Sequence, residues 1–135
     1  MLGSGLVTES GGATHAAVSY MDEARSSAGL SPAAPDSRLE QAALEQARYM
    51  AAAGEMTHTT GFGRDFVSRK KENEIKGLAA ENVAYGAMDV SRVMKMWMDS
   101  PPHRRNMLDP RFNHFGVASA TDGEGTRYWA MVLGE

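Results

Sequence analysis

The chain has 135 residues, a length that suits one domain with a sizeable core. Hydrophobic residues make up 42% and charged residues 23%, which is ordinary for a globular protein, and the net charge of −3 offers no electrostatic footprint for nucleic acid or an anionic membrane. Cysteine is absent, which excludes disulfides, thiolate metal sites and a cysteine nucleophile, and no apolar run approaches the roughly 20 residues that span a bilayer.

Residues 1–13 are rich in glycine and serine and are predicted to form a flexible leader, followed by a single domain over residues 14–135. No export signal with a basic segment and an apolar run is visible, so composition does not indicate the compartment. A first helix is predicted with Thr14 as its N-cap and Gly29 after its end. Its apolar side has helical spacing: Ala17, Tyr20, Met21, Ala24 and Ala28.

A second helix is predicted to begin at Ser37, in a capping box with Glu40, and to end at Gly54. Its buried side is Leu39, Ala42, Ala43, Ala47 and Met50. So much alanine indicates close packing against a neighbouring element. Neither of the first two helices offers chemistry, and both are interpreted as scaffold.

The segment from residue 55 to residue 80 has no clear periodicity, and its length is typical of a functional loop. It contains His58, which lies among small polar residues. It also contains the charged run Arg69-Lys70-Lys71-Glu72, which is interpreted as a solvated face or a short surface helix.

A third helix is predicted to open at Asp89 and to carry an apolar stripe. The stripe is Val90, Val93, Met94, Trp97 and Met98. Its helical period favours a core role over a methionine-lined binding surface, and only Met96, off the stripe, is left open. Residues 115–120 and 127–133 are predicted to form a hairpin around a turn at residues 122–125.

A hairpin alone is marginally stable, so a further strand or a layer of helices has to cover it. Three helices and a terminal hairpin therefore predict an α+β fold, in which helices cover an antiparallel sheet.

The segment Ser100-Pro101-Pro102-His103 carries the most specific chemical signal. Ser100 suits an N-cap and Pro101 the first helical position, which places His103 in the first turn of a short helix ending near Leu108. The positive helix end favours a neutral imidazole, which can bind a metal or accept a hydrogen bond. A structural role for His103 is an equal alternative. A role for Ser100 as a nucleophile is disfavoured, since a capping oxygen is committed to a backbone N–H.

Glu81 and Asn82 place a carboxylate next to an amide, a pair that can orient a histidine or accept a proton. A surface pair is the simpler interpretation of these two residues alone. The chain contains no His-Glu-x-x-His motif, no phosphate-binding glycine loop and no Gly-x-Ser-x-Gly elbow.

Taken together, the ordered segments between about residue 17 and residue 134 resemble the CAP superfamily of cysteine-rich secretory, antigen 5 and pathogenesis-related 1 proteins, in its disulfide-free bacterial form. The segments are Asp36-Ser37-Arg38-Leu39, Met56-Thr57-His58, residues 81–86, residues 93–98, residues 100–108, Phe115-Gly116-Val117 and Tyr128-Trp129. The resemblance implies an α-β-α sandwich with a central antiparallel sheet, and a protein that works in an extracellular or periplasmic location.

Many members of the family have a cleft lined by two histidines and two acids that can hold a divalent ion. His58 and Glu81 match the first histidine and the first acid, whereas Tyr128 stands where many members have the second histidine. The second acid is missing, with Ser100 at about its place. His103 comes instead from the Ser-Pro-x-His-Arg segment of bacterial members.

The resemblance therefore implies a metal set of His58, Glu81 and His103, holding a divalent ion such as zinc with water in the open position. It also implies that Asn82, Tyr128 and Arg104 shape the cleft around these groups.

The leading hypothesis is a secreted or periplasmic binding module, without catalysis, whose cleft takes a small molecule, a lipid, an ion or a protein partner. One alternative is a metal-assisted hydrolase of the protease or esterase type with Glu81 as general base. Another is a structural or interaction domain. All site assignments depend on His58, Glu81 and His103 meeting in one hollow.

Overall fold

A sheet lies between two layers of helices. The computed structural model describes residues 8–10, 12–59 and 64–135. The strands are β1 (Thr8–Ser10), β2 (Ala34–Pro35), β3 (Ala79–Tyr85), β4 (His114–Thr121) and β5 (Arg127–Gly134). The helices are α1 (Ala13–Ser27), α2 (Ser37–Ala53), α3 (Phe66–Glu72), α4 (Val90–Asp99) and α5 (Pro101–Met107).

The strand order is β1-β4-β5-β3, and the short β2 also pairs with β4, in parallel. The predicted hairpin is confirmed as β4 and β5. The further strand that a stable hairpin required is β3, which is antiparallel to β5 and places Glu81 opposite Val132. Of the predicted leader, residues 1–7 and 11 lie outside the described residues, whereas Thr8–Ser10 pair with β4.

The two faces of the sheet bury separate apolar clusters. On one face, side chains of α1, α4 and α5 such as Met21, Trp97 and Met107 pack on Trp129 and Met131 of β5. On the other face, the alanine-rich side of α2 packs on small residues of the sheet, including Ala118, Ala120 and Ala130. The predicted α-β-α sandwich is therefore confirmed. Among the helices in the described part of the chain, none has both the length and the apolarity needed to cross a bilayer.

The helix starts differ from the predicted caps. Thr14 lies inside α1, where its buried hydroxyl donates to the Val117 carbonyl at 3.0 Å and accepts from the Val117 N–H at 2.9 Å, so it ties α1 to β4 instead of capping the helix. The N-cap of α2 is Asp36, whose carboxylate accepts from the N–H groups of Arg38 and Leu39. A carboxylate one residue earlier therefore takes the role predicted for the Ser37 hydroxyl.

The close packing predicted for α2 occurs at Gly116 on β4. A Cβ atom at this position would overlap the backbone of Glu40 and come within 2.6 Å of the Leu39 carbonyl carbon. Because helix backbone cannot yield as a flexible side chain does, only glycine fits here. This contact sets the depth at which α2 lies on the sheet.

Replacing Gly116 by alanine is expected to destabilise the protein by about 1–3 kcal/mol or more, because the added methyl group forces α2 away from β4. Urea denaturation measures this change. Gly134→Ala is the control, since its Cβ would meet the terminal carbons of the flexible Leu39 side chain at 3.3 and 3.4 Å and the Leu78 carbonyl oxygen at an ordinary 3.8 Å. Equal losses of stability in the two variants would contradict the close approach at Gly116.

Candidate functional site

The floor of the site is a buried ion pair between α3 and β3. The guanidinium of Arg69 forms a bidentate salt bridge with Glu81: Nη1 donates to Oε2, and Nη2 donates to Oε1 at 2.9 Å. The Arg69 side chain is fully buried, and the side chain of Glu81 is only 1% exposed. Glu81 therefore has both of its oxygens engaged by one cation.

The interpretation of Arg69 as part of a solvated charged run is wrong. The run forms most of the short helix α3, and helical periodicity turns Arg69 inward while Lys71 and Glu72 stay exposed. Phe66 lies one turn before Arg69, and the guanidinium sits 5.3 Å from the centre of its ring. That i, i+3 spacing predicts contact of the ring with the arginine on a helix, but it does not indicate that the pair is buried.

His58 reaches Glu81 from the loop that precedes α3. Its Nδ1 lies 2.8 Å from Glu81 Oε1, and its side chain is 55% exposed. The backbone of this loop is held at two further points, because Arg69 donates to the carbonyl of His58 at 3.1 Å and to the carbonyl of Arg64 at 3.3 Å. Since Nδ1 faces a carboxylate, which can only accept, Nδ1 is the donor in this contact.

Ser100 and His103 form the second polar contact, at the start of α5. Ser100 is the N-cap by position, but it makes no capping bond, and its Oγ lies 2.8 Å from Nδ1 of His103. The predicted commitment of this oxygen to a backbone N–H is therefore wrong. The double proline removes one of the two usual partners of a cap, because a cap bonds the N–H of the second or third helical residue and Pro102 has none, which leaves only that of His103.

Partial burial of His103 disfavours the charged form of its imidazole. The pKa of His103 lies below its ordinary value, first because the ring is partly desolvated and second because charge on His58 opposes charge on His103. His103 therefore favours its neutral form near physiological pH. The contact with Ser100 uses Nδ1, which leaves Nε2 for other partners.

Asn82 faces the opposite side of the sheet from Glu81. Neighbouring residues of a strand point to opposite faces, so the amide does not lie beside the carboxylate. Asn82 donates to the His103 carbonyl at 3.2 Å and accepts from Asn106 at 2.8 Å. It thereby fixes α5, and with it His103, against the edge strand β3.

Tyr128 and Arg104 make their contacts with residues other than the two histidines. Tyr128 on β5 is paired with Tyr85 on β3, and the two rings stack with centroids 6.1 Å apart. Tyr85 lies four residues, or roughly 13 Å, along β3 from Glu81. Arg104 donates to the Met98 carbonyl at 3.0 Å, near the end of α4. Asp99, the acid nearest to the missing second carboxylate of the family, is exposed and paired with Lys95.

The implied metal set of His58, Glu81 and His103 does not fit a divalent ion. Both oxygens of Glu81 already accept hydrogen bonds from a buried arginine, so a metal bound to them would lie against that buried cation. Within residues 8–10, 12–59 and 64–135 there is no group of three or more histidine, aspartate or glutamate side chains arranged to hold a metal. What remains is a pair of imidazoles, each held through Nδ1.

The fold is that of a CAP domain. Residues 18–133 match the CAP family, described as the cysteine-rich secretory protein family, and the chain belongs to it. A curated relative is the uncharacterised protein YkwD of Bacillus subtilis (strain 168), which is 32% identical over 100 residues. The match covers 73% of this chain and 39% of YkwD, so the chain spans about two fifths of that relative.

Two solved structures share the fold. An outer surface protein from Borrelia burgdorferi matches with a TM-score of 0.81 at 22% identity, covering 95% of this chain and 97% of that one. An extracellular protein containing an SCP domain from Bacillus anthracis str. Ames matches with a TM-score of 0.80 at 20% identity, covering 92% of this chain and 40% of that one. At these identities the likeness concerns the fold.

The lowered pKa of His103 predicts a pH dependence of stability. As the pH falls below the ordinary histidine value of 6.5, the unfolded chain takes up a proton at this residue before the folded protein does. The free energy of unfolding is therefore expected to fall with pH from there, and this contribution levels off below the folded pKa. Chemical denaturation between about pH 8 and pH 5 measures the slope.

In His103→Gln this part of the slope is expected to disappear. The control is His15→Gln, because His15 is exposed and lies on α1, a helix that contributes no side chain to the site. A His103→Gln variant whose stability depends on pH as steeply as that of the parent protein would contradict the assignment.

Proposed function

We propose that the chain is a non-catalytic binding module that acts outside the cytoplasm and presents the imidazoles of His58 and His103 to a small polar ligand. The proposal is supported by the way each ring is held through Nδ1, by Glu81 in one case and by Ser100 in the other. When Nδ1 carries the proton in such a contact, the neutral ring offers the lone pair of Nε2. The ligand chemistry that suits two such atoms is a hydroxyl or N–H donor, or a transition-metal ion.

Binding is favoured over catalysis because the carboxylate of Glu81 is already engaged in hydrogen bonds within the protein. A general base must reach the proton that it removes, directly or through one water, with a free lone pair. Glu81 instead accepts two bonds from Arg69 and one from His58, and its side chain is almost fully buried. It is therefore suited to orienting His58 and poorly suited to activating water.

Export is proposed from the likeness to relatives. The two solved structures belong to an outer surface protein and to an extracellular protein. Absence of cysteine removes any dependence of folding on an oxidising compartment, so the fold itself is compatible with either side of the membrane.

Zinc serves as a probe for the two Nε2 atoms. The parent protein is expected to bind Zn²⁺ weakly, because two imidazoles are fewer than the three protein ligands of typical catalytic zinc sites. His58→Ala and His103→Ala are each expected to lower the affinity by about tenfold or more, since each removes one of two ligands. Titration calorimetry and the ring ¹⁵N shifts of the two histidines measure the change.

His15→Ala, which removes an exposed histidine on α1, is the matched control and should bind Zn²⁺ as the parent does. If His58→Ala and His103→Ala also bind like the parent, or if zinc leaves both ring spectra unchanged, the two imidazoles do not form a common binding site.

A turnover assay distinguishes the module from the hydrolase. Hydrolysis of a panel of esters and peptides is expected to be no faster with the parent protein than with Glu81→Gln or Ser100→Ala. Ser100 is included because its oxygen lies 2.8 Å from an imidazole nitrogen, as a nucleophile would. Turnover that falls by about tenfold or more in either variant would establish catalysis and overturn the proposal.

A further inference from the structure

The guanidinium of Arg69 lies where a metal ion would have to bind Glu81. Its two terminal nitrogens contact both carboxylate oxygens, and neither side chain is open to solvent. A metal at these oxygens would bring a second cation against the guanidinium in a buried setting, where like charges repel strongly. One of the two cations has to leave.

We infer that Arg69 is a built-in cation that takes the place of a metal ion, so that the site keeps its shape without any divalent ion. The inference goes beyond the proposed ligand binding and does not depend on it, because it concerns what neutralises Glu81 and not what the histidines contact.

Arg69 does more than balance a charge. Besides Glu81 it bonds the carbonyls of His58 and Arg64, which lie on the two sides of residues 60–63. An arginine can make these contacts together because its planar group carries five N–H donors in fixed directions. A compact ion or a lysine could neutralise the carboxylate but could not reach both carbonyls in the same way. Arg69 is thus a positioning residue for His58.

Glu81 has no other cation of this kind available in the described residues around it. Its remaining partner is His58, which is half exposed and bonds through Nδ1. Without Arg69, Glu81 would be a buried carboxylate beside the imidazole of His58, and a carboxylate and an imidazole are both ligands that zinc binds. Removal of one side chain should therefore create a metal site from residues that are already present.

The experiment compares the parent protein with Arg69→Met, a substitution that removes the charge and keeps an unbranched apolar side chain. Zn²⁺ is the probe. Arg69→Met is expected to bind Zn²⁺ at least about tenfold more tightly than the parent, and its melting temperature should rise with added Zn²⁺ and fall again with a chelator. The parent should show little shift in melting temperature.

The double variant Arg69→Met/Glu81→Gln is the control, because it replaces the charged pair by two neutral groups. It should fold without metal and lose the gain in zinc affinity. An Arg69→Met protein that folds only when Zn²⁺ is present also supports the inference, since the ion then replaces the missing cation.

The inference is overturned if Arg69→Met folds but binds Zn²⁺ no more tightly than the parent, if the gain survives Glu81→Gln, or if Arg69→Met fails to fold with Zn²⁺ present. Failure of the proposed function would look different: His58→Ala and His103→Ala would leave the weak zinc binding of the parent unchanged.

Discussion

The buried pair of Arg69 and Glu81 is the interaction on which the geometry of the site depends. It joins a short helix that has little apolar surface of its own to the edge strand of the sheet. Through Glu81 it orients His58, and through two backbone carbonyls it holds the loop that carries this histidine. Since a buried charge that loses its partner is strongly destabilising, the three groups form one unit.

The second half of the site depends on a different constraint. Pro101 and Pro102 leave the first two positions of α5 without N–H donors, and the oxygen of Ser100 contacts the ring of His103 instead of capping the helix. Asn82, on the face of β3 opposite to Glu81, then fixes the backbone of His103. Strand β3 therefore helps to position both histidines. Glu81 contacts the ring of His58, and the adjacent Asn82, which points to the opposite face, bonds the backbone of His103.

The scaffold that holds β3 in place is built from contacts between small residues. Gly116 lets the backbone of α2 lie directly on β4, and alanines on both sides continue the contact. A close helix–sheet contact of this kind leaves little room for movement, because interiors are packed at the density of organic crystals. The polar cluster at the edge of the sheet is thus carried by a rigid support, which suits a preformed binding site.

The sequence by itself determined the fold class, the hairpin of β4 and β5, the alanine face of α2 and the family, because these depend on periodicity and on ordered motifs that are local in the chain. It also indicated His58, Glu81 and His103. Only the tertiary structure decided the role of Arg69, which looked like one of four charges in a polar run. Burial of an arginine depends on a carboxylate 12 residues away, and no local pattern encodes that meeting.

The same holds for Ser100 and Asn82. The local sequence led to the interpretation of Ser100 as a helix cap and of Asn82 as an amide beside an acid. The contact of Ser100 depends on which donors remain at the start of α5, and that of Asn82 depends on which face of β3 it occupies. Local rules state what a residue is able to bond. The choice among the available partners is made by the fold, because a hydrogen bond between distant residues forms only where the packing of whole elements brings them together.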